Sequence, residues 1–239
     1  MAHTISSLLP PVEAAVRRYD LIAPGDHVAV GVSGGKDSVA LLAVLANLRQ
    51  YYPVPFTLTA ITLDPGFDGP GDYTAIEALC ERLGVPYVLK RTHLWDAVVA
   101  EGQADRPCSL CARMRRGALH KTAKEVGCNA VALGHHLDDA AETFFMNLAA
   151  GGTLGCFSPK TYLDRSELTL IRPLVFLSEK QIAAAVRHDG LPVVRSVCPA
   201  DGNSGRQQAK EQLAALSAVY GDLPDKIVGA LQKAHISGW

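Results

Sequence analysis

Apolar positions fall into two rhythms that alternate through the first two thirds of this chain. Short apolar or alternating runs at 27–32 (HVAVGV), Phe56–Leu63 (FTLTAITL), Pro86–Lys90 (PYVLK) and Ala130–Leu133 (AVAL) predict strands. Around and between them, residues 12–20, Asp37–Asn47, Tyr73–Leu83, 109–126 and Asp138–Ala149 place apolar side chains at helical spacing. Gly84 and Gly127 close two of these helices. Alternating strands and helices predict βαβ units and an α/β, doubly wound, mostly parallel sheet of Rossmann-like type. With Leu168–Arg172 as an edge strand the sheet counts five strands. After Gly151-Gly152 the pattern becomes helical, over Ser178–His188, Gln207–Tyr220 and Asp225–Ala234. The expected organisation is a helical segment at 1–24, an α/β domain at 25–175 and a helical extension at 176–239. About 17 residues before Cys108 read as a long loop, a kind of segment that is often functional.

Bulk composition narrows the classes. Hydrophobic residues make up 48% and charged residues 20% of 239 positions, a globular balance with enough apolar side chain for a sizeable core. The formal net charge of −1 supplies no global basic field, so a polyanion partner has to be held by local patches. No run approaches the ~18 apolar residues of a membrane span, and the N-terminus lacks a secretory pattern. Six cysteines in such a chain indicate a reducing compartment, the cytoplasm, with thiols used as ligands or nucleophiles.

Three stretches carry candidate chemistry. Ser33-Gly34-Gly35-Lys36-Asp37-Ser38 lies where the first strand hands over to a helix. Its glycines let backbone amides approach an oxyanion, the helix N-terminus adds positive potential and Lys36 a mobile charge. Asp37 suits a Mg²⁺ ion shared with phosphates. The stretch departs from the G-x-x-x-x-G-K-[ST] loop, with Val30 at the first glycine and Asp37 at the hydroxyl position. An ordinary capped turn is the plainer alternative.

Cys108-Ser-Leu-Cys111 is the only C-x-x-C in the chain, and three-residue spacing in a helix's first turn puts both sulfurs on one face. Nearby arginines and the helix start favour thiolates. A structural zinc, simple thiols or a redox pair remain alternatives, although a second zinc-type pair is missing. Cys80 and Cys128 fall on core positions, Cys156 has no evident role, and Cys198 is the best distant partner for the pair. Gly134-His135-His136-Leu137-Asp138-Asp139 also follows a strand and opens a helix. Asp139 and Glu142 have the spacing of a capping box, yet two histidines and two acids at the sheet's carboxyl edge also suit Mg²⁺ binding or proton transfer. Arg113, Arg115, Arg116, Lys121 and Lys124 make one basic helix, read either as a solvated face or as a phosphate contact.

SGGKDS resembles the pyrophosphate-binding loop of the ATP-pyrophosphatase superfamily. CSLCARMRRGALHKTAKEVGCNAVALGHHLDD resembles the tRNA 2-thiocytidine synthetase family, and the likeness spans roughly residues 12–222. It implies ATP held through Ser33, Gly34, Gly35, Lys36, Asp37, Ser38, Gly134 and His135. It also implies a 4Fe–4S cluster on Cys108, Cys111 and Cys198 with one iron free of protein ligands. Asp64, Asp138 and Asp139 are the implied catalytic positions, with Asp64 alternatively a strand-end turn residue; Arg115, or Arg116 in its place, suits stabilisation of negative charge at the activated substrate. Arg113, Arg116 and Lys121, on the basic helix beside the cluster cysteines, are the candidate contacts to the tRNA backbone. The implied reaction adenylates the C2 carbonyl oxygen of a cytidine and replaces it with sulfide, releasing AMP. A sulfide donor such as a cysteine desulfurase is the implied partner, and a homodimer is compatible with the family. One departure stands out: many members carry a second C-x-x-C at the third cysteine, where this chain has Cys198-Pro-Ala-Asp201. A sulfurtransferase or desulfurase acting on another thiolated nucleoside or small molecule, or a non-catalytic iron–sulfur or nucleotide sensor, are the competing readings.

Overall fold

The computed structural model describes residues 3–67, 69–100, 107–194 and 205–239. Its centre is a six-stranded sheet built from β1 (His27–Gly31), β2 (Thr57–Asp64), β3 (Tyr87–Arg91), β4 (Ala130–Ala132), β5 (Lys160–Leu163) and β6 (Leu168–Ile171). The strand order is β3-β2-β1-β4-β6-β5. All neighbours pair in parallel except β5, which runs antiparallel to β6. The chain winds outwards from β1 through β2 to β3, then returns to β4 on the other side of β1. The boundary between β1 and β4 is therefore a topological switch point, where crevices open at the strands' carboxyl ends.

Helices α1 (Ile5–Arg18), α2 (Lys36–Leu48), α3 (Thr74–Leu83), α4 (Leu94–Ala100), α5 (Pro107–Glu125), α6 (Leu137–Gly151), α7 (Glu179–His188), α8 (Gly205–Tyr220) and α9 (Leu223–Lys233) surround the sheet. Val28, Ala29 and Val30 are completely buried, as a central parallel strand covered on both faces requires. On one face the main core gathers side chains from Ile5 to Trp239, with α2 buried along most of its length against α1 and α7. On the other face a smaller core joins Ile61, Leu63, Val131 and Leu170 to Leu119 and Ala123 of α5. Cys80 and Cys128 are core residues, as their positions in the pattern predict.

The structure differs from the sequence pattern in several places. The sheet has six strands, not five, and β6 is an interior strand with Leu168 and Ile171 fully buried. The edge belongs to β5, whose sequence KTYL exposes Lys160 and Tyr162 and so carries no apolar run. The first helix begins at Ile5, ahead of Pro10 and Pro11, because Thr4 and Ser7 cap it reciprocally. The Ser7 amide donates to Thr4 Oγ1 (3.2 Å), the Thr4 amide donates to Ser7 Oγ (3.0 Å), and Ile5 and Leu8 anchor the turn in the core. Part of the expected long loop before Cys108 is α4, whose Trp95 stacks edge-on to Phe67 at 5.1 Å.

Candidate active site

The loop after β1 is pinned before it turns. The Val32 amide donates to the Ile61 carbonyl (2.8 Å), and the buried Thr62 hydroxyl donates to the Val32 carbonyl (2.7 Å). The chain then passes Gly34, at φ +87°, to Gly35, which starts α2 without a side-chain cap. A helix start of this kind presents its first amides to an anion. The Ser38 hydroxyl donates to the Gly35 carbonyl (2.8 Å) and accepts from the Ser33 amide (3.2 Å), fixing the loop's curvature. Behind the loop, the Val194 amide donates to the Gly34 carbonyl (2.9 Å), and a Cβ at position 34 would stand 2.8 Å from Val194 Cβ. Lys36 Nζ lies 3.0 Å from Asp37 Oδ2 and 2.9 Å from Glu179 Oε1. Burial pulls the Lys36 pKa down, but the carboxylates of Glu179 and Asp37 outweigh it and hold the ammonium charged. Asp37 Oδ1 is buried without a hydrogen-bond partner.

The β4–α6 turn packs directly on this loop. A Cβ on Gly134 would lie 3.1 Å from the Asp37 carbonyl carbon and 3.2 Å from the Ser38 nitrogen, so the absent side chain lets the two backbones approach closely. His136 is buried among three acids, with Nε2 at 3.8 Å from Asp37 Oδ1 and 3.4 Å from Asp139 Oδ2, and Nδ1 at 3.5 Å from Asp138 Oδ2. Burial opposes its charge, yet the three carboxylates prevail and raise its pKa. The His136 amide donates to Asp139 Oδ2 (3.0 Å), so the helix cap is His136 with Asp139 as its third-position acid. The capping box thus sits three residues before the Asp139–Glu142 spacing expected from the sequence. Asp138 Oδ2 accepts the Glu179 amide (2.6 Å) and so secures the start of α7. Burial raises the Asp138 pKa, but its bonds with His136 and the Glu179 amide bring it below the ordinary value. Burial drives His135 to about 4, against Asp139 and with Arg172 and Arg206, so its ring is neutral near pH 7.

Between the carboxyl ends of the strands and α5 lies a cleft of about 650 Å³. Ser33, Gly35, Asp37 and Ser38 line one side, Gly134 and His135 the next, and Ile61, Leu63 and Leu119 give it apolar walls. Arg115, Arg116 and His120 of α5 face it together with Arg172 and Arg206. Arg172 is only 8% exposed, donates to the Ser158 carbonyl, and holds its guanidinium 4.9 Å from the centre of the Phe157 ring. Arg206 Nη1 reaches Asp139 Oδ1 (2.9 Å), while its Nε lies 3.9 Å from the buried carboxylate of Glu142. That longer approach does not offset burial and the nearby Asp139, which together raise Glu142 to about 7.

The predicted residues separate into two groups. Ser33, Gly35, Asp37, Ser38, Gly134, His135, Arg115 and Arg116 meet at the cleft. Gly34 supports the loop from beneath Val194, and Lys36 turns away from the cleft wall. Asp64 is buried with both oxygens engaged: Oδ1 accepts from the Gly66 amide (3.1 Å), while Oδ2 accepts from the Gly71 amide (2.9 Å) and Arg91 (3.1 Å). It shapes the loop after β2 rather than lining the cleft, which is the strand-end alternative. Asp138 and Asp139 grip α7 and Arg206, and Arg113 and Lys121 are exposed outside the cleft. Cys108 and Cys111 occupy the first turn of α5, and Cys111 is buried beside Val98 and Leu110. Arg115 follows Cys111 by one turn, about 6 Å along the axis. Cys198 lies outside the described residues, and among these no group of three metal-ligating side chains assembles. Cys156 is half-buried, with Sγ directed at the Ala140 carbonyl (3.4 Å). Sequence reasoning missed Arg172, Arg206 and Glu179. Arg172 alone carried a signal, a charge ending an apolar strand at the same sheet edge as the glycine loop.

Comparison with known proteins identifies the family. Residues 11–212 match the PP-loop domain family. A tRNA-cytidine(32) 2-sulfurtransferase of Syntrophotalea carbinolica is 41% identical over 224 residues, covering 91% of this chain and 85% of that protein. The protein of the same name from Geobacter sulfurreducens is 40% identical over 200 residues, covering 83% and 77%. Among solved structures, the U34-tRNA thiolase NcsA of Methanococcus maripaludis with its [4Fe-4S] cluster superposes with a TM-score of 0.76 at 24% identity, over 96% of this chain and 79% of that one. An NH3-dependent NAD synthetase of Campylobacter jejuni shares the fold at a TM-score of 0.52 and 14% identity, covering 98% and 96%. The chain belongs to the PP-loop domain family and, within it, to the family of the tRNA-cytidine(32) 2-sulfurtransferases.

Proposed function

We propose that this chain is an ATP-dependent tRNA sulfurtransferase that converts a cytidine, position 32 in its relatives' name, to 2-thiocytidine. The observation that carries the reading is the single cleft shared by the uncapped start of α2 and by the face of α5 one turn beyond Cys111. Activation and sulfur delivery therefore have adjoining walls.

The cytidine O2 attacks the α-phosphorus of ATP and pyrophosphate leaves. The amides of Gly35 and the first turn of α2 receive the departing charge, while Arg115 and Arg116 offset charge on the far side of the cleft. Asp37 Oδ1, buried and without a hydrogen-bond partner, suits a Mg²⁺ ion shared with the phosphates. Sulfide then attacks C2, the C2–O bond breaks, and AMP departs with the original oxygen. A pyrimidine carbonyl oxygen is a poor leaving group, and adenylation turns it into a good one.

Cys108 and Cys111 fit a thiophilic centre, being soft donors on one helical face with Cys111 shielded from water. With Cys198 they would hold a 4Fe–4S cluster, which when bound supplies an open iron coordination position for sulfide. Arg115, Arg116 and His120 orient the base beside that wall.

Anaerobically purified protein, ATP, sulfide and tRNA test the reading, with nucleosides analysed by mass spectrometry. Equimolar 2-thiocytidine and AMP are expected. ATP turnover without 2-thiocytidine would overturn the assignment, and a colourless protein carrying one zinc would overturn the cluster separately.

A further inference from the structure

We propose that Glu179 is a positioning residue for the loop lysine: it holds the Lys36 ammonium outside the cleft until phosphate arrives, and so sets affinity for nucleotide. The proposal rests on the reading that the glycine loop binds the phosphates of ATP.

Gly35 and Asp37 both line the cleft, whereas Lys36 between them lines a separate groove with Ala183, Val186, Gly190 and Val193, and its ammonium sits between Asp37 and Glu179. Two carboxylates hold it there, Asp37 at 3.0 Å and Glu179 at 2.9 Å. Asp37 sits beside Lys36 in the first turn of α2. Glu179 comes from α7 and is fixed independently: its amide is held by Asp138, and Ser178 and Gln181 cap the helix reciprocally. The carboxylate thus competes with phosphate for one ammonium, from a position the loop does not control.

The strength of the contact suits an exchange. Lys36 and Glu179 side chains are 32% and 28% exposed, so solvent weakens their attraction. Pairs of this kind contribute modestly, enough to bias a side chain but not to trap it against a polyphosphate. When Lys36 leaves, Glu179 does not become an unpaired charge, because its other oxygen already pairs with Lys210 of α8. Lys210 is the counter-ion that lets the exchange proceed without stranding a carboxylate.

ATP binding measured calorimetrically on the full chain, with Mg²⁺ and without RNA, tests this. Glu179→Gln should tighten ATP binding about two- to fivefold, and Lys210→Gln should weaken it by a similar factor. The gain must act through Lys36, so in a Lys36→Met background Glu179→Gln should change nothing. Unchanged or weaker binding in Glu179→Gln overturns the proposal. A gain that persists in Lys36→Met does so too, because it would report only the removal of a distant negative charge. If the wild-type chain binds no ATP, the loop reading itself fails. Wild-type binding without the expected shifts sinks only the role of Glu179.

Discussion

Replacing Glu142 by glutamine should stabilise the protein, and by an amount that depends on pH. The carboxyl is 5% exposed, and its pKa in the folded chain is about 7 against an ordinary 4.5. A raised carboxyl pKa means that the folded state resists ionisation while the unfolded state does not. The group imposes no penalty below pH 4.5, and the penalty grows to its full size as pH rises through 7. The shift corresponds to about 3 kcal/mol. Glutamine keeps the shape without the charge but must still lodge a buried amide, leaving a net gain of about 2 kcal/mol. For a chain of this length that raises Tm by about 4–8 °C at pH 8. The difference between variant and wild type should shrink steadily towards pH 5. Paired thermal melts from pH 5 to 8.5 measure it directly. A difference independent of pH, or a variant less stable at pH 8, would refute the account of Glu142 as a carboxylate strained by burial beside Asp139.

Two further outcomes follow from described contacts. Asp64→Ala removes three bonds that shape the loop after β2, so a loss of about 2–4 kcal/mol is expected. A Tm within 2 °C of wild type would show that the loop holds its form by other means. Burial is the chief cause that pushes the thiols of Cys80, Cys128 and Cys156 to about 11. Their alkylation at pH 7.5 in the native chain should be at least ~100-fold slower than after unfolding, as peptide mass spectrometry can follow. Equal rates would contradict it.

The parts of the fold legible in the sequence are those whose signals are local. β1, β2 and β4 are buried on both faces and appear as apolar runs at β1 and β4 and an alternating one at β2, and the glycine loop is contiguous in the chain. β5 escapes because a short edge strand with Lys160 and Tyr162 turned to solvent resembles a turn. β6 is misjudged as an edge because nothing in its own four residues announces the neighbour that covers it. The site follows the same rule. Ser33 to Ser38 are readable, but Glu179 and Arg206 meet Asp138 and Asp139 across 41 and 67 positions of sequence. Pairings at such separations leave no periodic trace. Asp64 shows the converse limit, since a polar residue at a strand's carboxyl end looks the same whether it faces a ligand or its own loop.

Gly134, pressed against the backbone of Asp37 and Ser38, makes the two turns of the site a seam of main chain on main chain. A methyl on the second turn would meet the first at 3.1–3.2 Å and press it back by a few tenths of an ångström. The two turns therefore bear on each other through the backbone, and a change in the path of one has to be met by the other.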